Sequence, residues 1–568
     1  MKKKLSPLLW LGVFLLLSAA LWLADKYAFQ YMEQKQTFFA DAGYLRYIFS
    51  QLGGFATLLS ALIVQFFVSP LSGTLITAAV LTLAAYLGAD VLEKVSGRKE
   101  TALLAILPSL GCIVQVCDMS FQYFGIVAHV LMLLCLCGYV RIERDALRLV
   151  AGSALTLALF AAAGSVAMLF AASALLIEIF KRPKKAAMFI IMPALAGLAG
   201  LIALRAGWAA QGRHVFGPYA YYTLRLQLPS KCVITWALWG SALLVSCIAG
   251  LFKTEKKAFG ITLGAVGTLA VCCTAFFAHT QIKNADKAFR ELYVLAGDEQ
   301  WEMIIERCVR NKPNNLLLQN YLGVALAEKG LLSSKTFEFP YRNISGLYVE
   351  SNKTPYVNAL LSDVFFSMGE IGLAQRYALE ANESCGNYSV RQLKRLTVTN
   401  LAFGAYEVAE KYIALLEKTL FYKGWAKEYR GMLYNEGADN ALVASKRKCI
   451  FPENKLSGLG GLDIDFKRII RANPEHTSTM QYLGTLLLLM KDVDAFMELM
   501  DEFYGTEALP EVLQPLFQQA ICLYSNGDEE ILQKYNIQQD TIDAYAEFKQ
   551  KPKNWRSTYW YFYFYVME

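Results

Sequence analysis

Four carboxylates and a set of cations are the residues of this 568-residue chain whose types fit group-transfer chemistry. Asp25, Glu33 and Asp41 follow the first apolar run, and Asp118 sits at a short turn between two later ones. Arg205, Arg213, His214, Arg225 and Lys231 share one polar segment with Trp208, Tyr219, Tyr221 and Tyr222. A carboxylate that takes a proton from an acceptor hydroxyl, facing Arg or Lys that stabilise a departing phosphate, is what transfer of a lipid-linked phosphosugar needs. Against this stands a plainer reading, in which loops of any membrane protein collect polar residues. Asp41 also lacks a second acid beside it. Metal chemistry has less support. The four His (129, 214, 279, 476) form no H-x-x-H, and the twelve Cys contain no C-x-x-C. Neither a metal site nor a cofactor is implied.

The elements that would position these residues are mostly membrane spans. The chain is 55% hydrophobic, too apolar for an ordinary soluble protein. Apolar runs cover 7–24, 47–68, 73–92, 101–116, 122–140, 147–163, 165–180, 186–204, 233–252 and 259–278, ten candidate spans. Residues 147–180 exceed one crossing, so Gly164-Ser165 is read as a hairpin tip. The lysines of the N-terminus and the run behind them read as a retained first span rather than a cleaved leader. Polar residues within spans are costly. Gln65 is expected to bond a neighbouring helix or line a cavity, His129 to be a satisfied packing residue, and Glu178 to pair with Lys181-Arg182 one turn away.

Charge gives sidedness. Through residue 282 there are 23 Lys and Arg against 11 Asp and Glu; the remainder has 32 against 37. The basicity therefore lies in short membrane loops and gives no reason to expect nucleic-acid binding. Loops 93–100, 141–148, 181–185 and 253–257 are each strongly basic and are separated by pairs of spans. They belong on one face, the cytoplasmic one, and the last span then carries everything after it outside. The lysines of the N-terminus disagree if every run crosses. The conflict disappears if 47–68, with Gly53-Gly54, Gln65 and Pro70, is re-entrant.

From residue 283 the pattern becomes amphipathic. Trp301, Ile304, Ile305 and Cys308 share one helix face. A P-x7-Y-L-G string occurs at Pro313 and again at Pro474, and Gly369, Ala374, Ala381 recur as Gly404, Ala409, Leu416 at an offset of 35 residues. These features are similar to tetratricopeptide repeats. Residues 331–355 read as an irregular insertion, 435–462 as a loop, and 555–566 (WRSTYWYFYFYV) as a cap on the last apolar face. The expected architecture is all-α, with a polytopic membrane bundle (1–282) and a degenerate tetratricopeptide-like solenoid (283–568).

Glu33-Gln-Lys-Gln-Thr-Phe, Gly53-Gly54 followed by Gln65-Phe-Phe and Pro70, Asn473-Pro-x7-Tyr-Leu-Gly and the Tyr559-Trp-Tyr-Phe-Tyr-Phe tail occur together. In this the chain resembles an uncharacterised family of Bacteroidota polytopic membrane proteins with a C-terminal tetratricopeptide-like region. The resemblance implies the architecture and brings no activity. The acidic first loop, many spans and repeats are also similar in layout to multispan lipid-linked-sugar glycosyltransferases, without that class's paired acid. The expected role is a scaffold or assembly factor in the cell envelope, seated in the inner membrane, with the bilayer and a protein or peptide as partners. A transferase using Asp25, Glu33, Asp41 or Asp118, with Arg213, His214, Arg225 and Lys231 as the binding cations, is the alternative. Transport ranks third, because neither matching halves nor paired mid-membrane charges are evident.

Overall fold

A computed structural model of the chain describes residues 7–209, 211–223, 231–252, 257–450 and 461–566. Among these residues the fold is all-α, with no strand. It divides into two units, Met1–Lys287 and Ala288–Glu568.

The first unit contains α1 (Pro7–Asp25), α2 (Ala28–Gln36), α3 (Ala42–Phe49), α4 (Gly54–Val64), α5 (Pro70–Ser96), α6 (Ile106–Val116), α7 (Phe124–Tyr139), α8 (Asp145–Ala163), α9 (Val166–Lys181), α10 (Ile191–Arg205), α11 (Gly212–Phe216), α12 (Ile234–Leu251) and α13 (Lys257–Thr280). Seven stretches are long and apolar enough to cross a membrane: α1, α5, Lys99–Val116 (a 3-10 turn running into α6), α8, Pro183–Arg205 (another such turn running into α10), α12 and Ala258–Thr280 of α13. The apolar α7 and α9 have sixteen residues each. Central to the bundle is α5, which packs against α1, α6, α7 and α12. It starts at a reciprocal Ser69–Ser72 cap with Pro70 in the first turn, where a missing N–H costs nothing, and stops at Gly97.

The apolar stretch 47–68 is not one helix. It breaks at Gly53-Gly54, leaving α4 with eleven residues, a rise of ~17 Å against a hydrocarbon core of ~30 Å. The turn needs glycine, because a Cβ on Gly54 would stand 2.6 Å from the Ile48 carbonyl oxygen. Gly53 and Phe67, on either side of α4, lie at one end of the bundle. Gly53 packs on the backbone of Ala163 and Gly164. The Phe67 ring meets Tyr123, just before α7, at 5.1 Å, and Tyr221 links these places by packing on Phe124 and donating to the Ala163 carbonyl.

The basic loops gather at the other end. Lys181 donates to the Lys94 carbonyl (2.6 Å), Arg182 and Lys185 pair with Asp145, and Arg141 pairs with Asp90 at 2.8 Å. Arg98 donates to the carbonyls of Ala249 and Phe252 (3.3 and 2.6 Å). Residues 253–256, most of the fourth basic loop, lie outside the described residues. Trp10 packs on Tyr86 in the latter half of α5 (5.3 Å), so α1 starts toward the basic end and runs antiparallel to α5. The start of α13 is there too, with Gly260 against the Glu100 side chain. Its far end is tied to the opposite side of the bundle: Lys231 donates to the Gln281 carbonyl, and Lys287 to that of Leu23 (2.8 Å).

The second part of the chain forms α14 (Asn284–Gly297), α15 (Trp301–Arg310), α16 (Leu316–Glu328), α17 (Leu332–Lys335), α18 (Pro355–Met368), α19 (Ile371–Glu383), α20 (Val390–Ala402), α21 (Tyr406–Leu416), α22 (Lys423–Arg430), α23 (Ala441–Lys448), α24 (Leu462–Ala472), α25 (Thr477–Leu489), α26 (Val493–Phe503), α27 (Pro515–Ser525), α28 (Glu529–Lys534), α29 (Gln539–Gln550) and α30 (Tyr559–Tyr565). Helices α18 to α21 each pack on the next. The two pairs turn at equivalent glycines, Gly369 and Gly404, and Ala374, Ala381, Ala409 and Leu416 are buried at matching places. The two helices that carry P-x7-Y-L-G, α16 and α25, pack against each other, and the Leu332 N–H donates to Gln481 Oε1 at 3.0 Å. This long-range contact adds to the packing of chain neighbours. The insertion 331–355 lies along α16, where Asn320 bonds the carbonyls of Ser345 and Gly346 and the Val349 N–H.

One sequence reading changes here, and the cap expected at 555–566 takes helical form. The stretch 435–462 is not all loop: Asn440 accepts from the Val443 N–H (3.0 Å) and starts α23, while 451–460 lie outside the described residues. The aromatic tail forms α30, which packs on α27. Trp560 Nε1 donates to the Gln519 carbonyl (2.7 Å), and Tyr559, Trp560 and Phe562 are buried.

Candidate functional site

The acids singled out by sequence sit at the end of the bundle away from the basic loops, and three of them serve their own backbone. Asp25 closes α1 and accepts from the Tyr27 N–H at 3.0 Å. Asp41 caps α3 through the Tyr44 N–H at 3.0 Å. Asp118 holds its turn by accepting from the Ser120 N–H (2.8 Å) and hydroxyl (2.5 Å). Glu33 is buried on α2. Such bonds are what short polar side chains supply at helix ends and turns.

The structure does bring three of the surrounding segments together. Lys35 of α2 donates to the Met119 carbonyl (3.1 Å), and Gln36 Oε1 accepts from the Tyr123 N–H (3.2 Å). The same turn bonds the segment after α11 through Thr223 N–H to the Ser120 carbonyl (2.8 Å) and Gln122 N–H to the Tyr221 carbonyl (2.9 Å). Asp118 and the helix of Glu33 therefore share one polar layer with Tyr221 and Tyr222. The predicted cations have other bonds. Arg213 donates to Gln211 Oε1, and Lys231 to the Gln281 carbonyl. His214 lies beside Arg213; burial and that guanidinium hold its imidazole below the usual range. Arg225 lies outside the described residues. A cavity of about 390 Å³ opens between α6, α12 and α13, and none of the four acids lines it.

With these positions fixed, comparison with known proteins supplies one match, the Family of unknown function (DUF6057), over residues 1–566. The chain belongs to this family. No curated protein and no solved structure matches it.

For this member of the family, the tightest polar arrangements lie where sequence spacing did not point. In the first unit Glu178, wholly buried, accepts from Arg148 Nε (2.5 Å) and the Tyr139 hydroxyl (2.9 Å), and the Arg148 guanidinium lies over the Tyr139 ring at 4.5 Å. Arg182, the partner expected from spacing, is more distant at 3.9 Å. Gln65 bonds the Leu62 carbonyl of its own helix rather than a neighbour. His129 packs edge-on to Trp239 at 6.2 Å, and its ring nitrogens find no hydrogen-bond partner among the described residues.

In the second unit Lys446 and His476 close the C-terminal end of α18. Lys446 Nζ donates to the Phe366 carbonyl (2.8 Å) and contacts His476 Nε2 (2.6 Å). The Thr479 hydroxyl donates to the Met368 carbonyl (2.8 Å), so at 2.8 Å from His476 Nδ1 it acts as acceptor. That fixes the proton on Nδ1 and leaves the Nε2 lone pair for the ammonium. Cations at a helix C-terminus offset its unpaired carbonyls and dipole. The arrangement also gives the second P-x7-Y-L-G copy a local role, since His476 and Thr479 lie within it.

Proposed function

We propose that the protein is an inner-membrane protein that holds a tetratricopeptide-like helical array on the extracytoplasmic side, as a scaffold or assembly surface in the cell envelope. The observation that carries this reading is the gathering of the basic loops at one end of the bundle, with α1 starting toward that end and α13 finishing at the other. Basic loops are retained in the cytoplasm, so α13 delivers the chain to the opposite side. With α4 flanked at that opposite side by both Gly53 and Phe67, the lysines of the N-terminus and the basic loops agree. Stacked helix pairs bury a shared core and offer extended surfaces to peptide or protein partners.

Complementation of a deletion strain separates this reading from a lipid-linked-sugar transferase. Glu33→Gln, Asp41→Asn and Asp118→Asn are expected to restore the phenotype fully, and removal of residues 288–568 to abolish it. Loss of rescue by the conservative acid variants at normal protein level, with rescue by the truncated chain, would establish the transferase instead.

A further inference from the structure

We propose that the crevice between α6, α12 and α13 holds an acyl chain of an anionic lipid whose phosphate is met by Lys231. Leu110, Val114, Ile234, Leu238, Phe277 and Ala278 are among its lining residues, with walls that are almost wholly apolar. The lining comes from the second half of α6, the first turns of α12 and the last turns of α13. The crevice therefore lies in the half of the bundle away from the basic loops.

Its existence follows from how α13 packs. Only 11% of the apolar window of α13 is buried, and it leans on α6 and the 3-10 turn before it rather than on α12. The gap is bounded by three stretches long and apolar enough to cross a membrane. Apolar walls do not hold water, so a hydrocarbon chain is the occupant that fits.

The mouth supplies the head-group preference. Lys231 lies one turn ahead of Ile234 and reaches across to the Gln281 carbonyl, just beyond α13, so its ammonium bridges the two walls. One donor is used there, and an ammonium has three. Lys283 and His279 are exposed close by in the chain. Between Arg205 and Ile282 the only Asp or Glu is Glu255, in the basic loop that precedes α13. Asp118, whose charge reaches Cys232 beside Lys231, is bonded to Ser120. A cation beside an apolar crevice selects a lipid phosphate with net negative charge over a zwitterionic one.

The test uses the full-length protein in mixed micelles of phosphatidylglycerol and phosphatidylethanolamine, with retained lipid read by native mass spectrometry. Wild type is expected to retain phosphatidylglycerol in preference. Ala237→Phe, whose ring would fill the crevice from the α12 side, should lower retained lipid about tenfold, because the chain loses its apolar seat. Lys231→Gln should keep retention and lose the preference. Thr274→Phe makes the same test from the α13 wall if the first variant does not elute as a single species, and Leu244→Phe, elsewhere on α12, should match wild type. The proposal fails if the filled variants retain as much lipid as wild type, if Lys231→Gln keeps the preference, or if Leu244→Phe loses lipid equally. None of these outcomes bears on which face the bundle presents to the cytoplasm.

Discussion

Glu178 and His476 are the residues at which removing a partner should be felt most. A buried carboxylate is tolerable only while its cation stays, and without Glu178 the Arg148 guanidinium keeps only the Ile142 carbonyl (2.8 Å) and the face of the Tyr139 ring. Glu178→Gln should cost roughly 3 kcal/mol, read as earlier thermal unfolding in detergent, because the guanidinium is left charged and buried. The double change Glu178→Leu with Arg148→Met should cost less than the two single changes summed. This pair was not legible in the sequence. Spacing reaches only the next turn of the same helix, where Arg182 sits, whereas Arg148 arrives from α8. His476 is held well below its ordinary range, first by burial and then by the Lys446 ammonium. The unfolded chain titrates near pH 6.5. The unfolded state therefore binds the proton first as pH falls, and stability present above about pH 6.5 is lost on descending toward the lower folded value. Hydrogen exchange in the full-length protein should show 441–448 and 477–489 opening more readily at acid pH, and His476→Gln should flatten that dependence.

Among the elements, the paired helices of the second unit were the easiest to read. Gly369 and Gly404, 35 residues apart, both occupy left-handed turns (φ 89° and 69°). Alanine at Gly404 meets nothing within 4 Å, so it should cost only the left-handed penalty of about 1 kcal/mol. Alanine at Gly369 would also press on Thr479, Ile469 and His476 at 3.1–3.4 Å, and thermal melts should show the larger loss there. Helix α23 was missed because Lys446-Arg447-Lys448 lies between Gly437 and the glycines at 458, 460 and 461 and has the look of a solvated loop. Its fold is fixed from afar, by the carbonyl of Phe366 accepting from Lys446. The break in the apolar run 47–68 was legible in its Gly53-Gly54 pair, but the geometry that enforces it was not. Hydropathy registers composition, whereas the turn depends on how close Gly54 comes to the Ile48 carbonyl. The candidate acids were visible as residue types, but whether a carboxylate caps its own chain or faces a ligand depends on a rotamer and a neighbour that spacing does not carry.

For the whole molecule, charge asymmetry was legible before any helix was placed, since four basic loops at even separation already demand a common face. What the fold adds is that three of them are bonded to one another and that α1 starts on their side. Everything proposed about partners depends on the resulting sidedness. The most direct measurement is external protease applied to sealed spheroplasts carrying epitope tags at Lys184, in a basic loop, and at Asn352, in the second unit. The account predicts that the Asn352 tag is lost while the Lys184 tag survives until the membrane is permeabilised. An Asn352 tag protected in sealed spheroplasts, with the Lys184 tag cleaved, would invert the bundle and contradict the account.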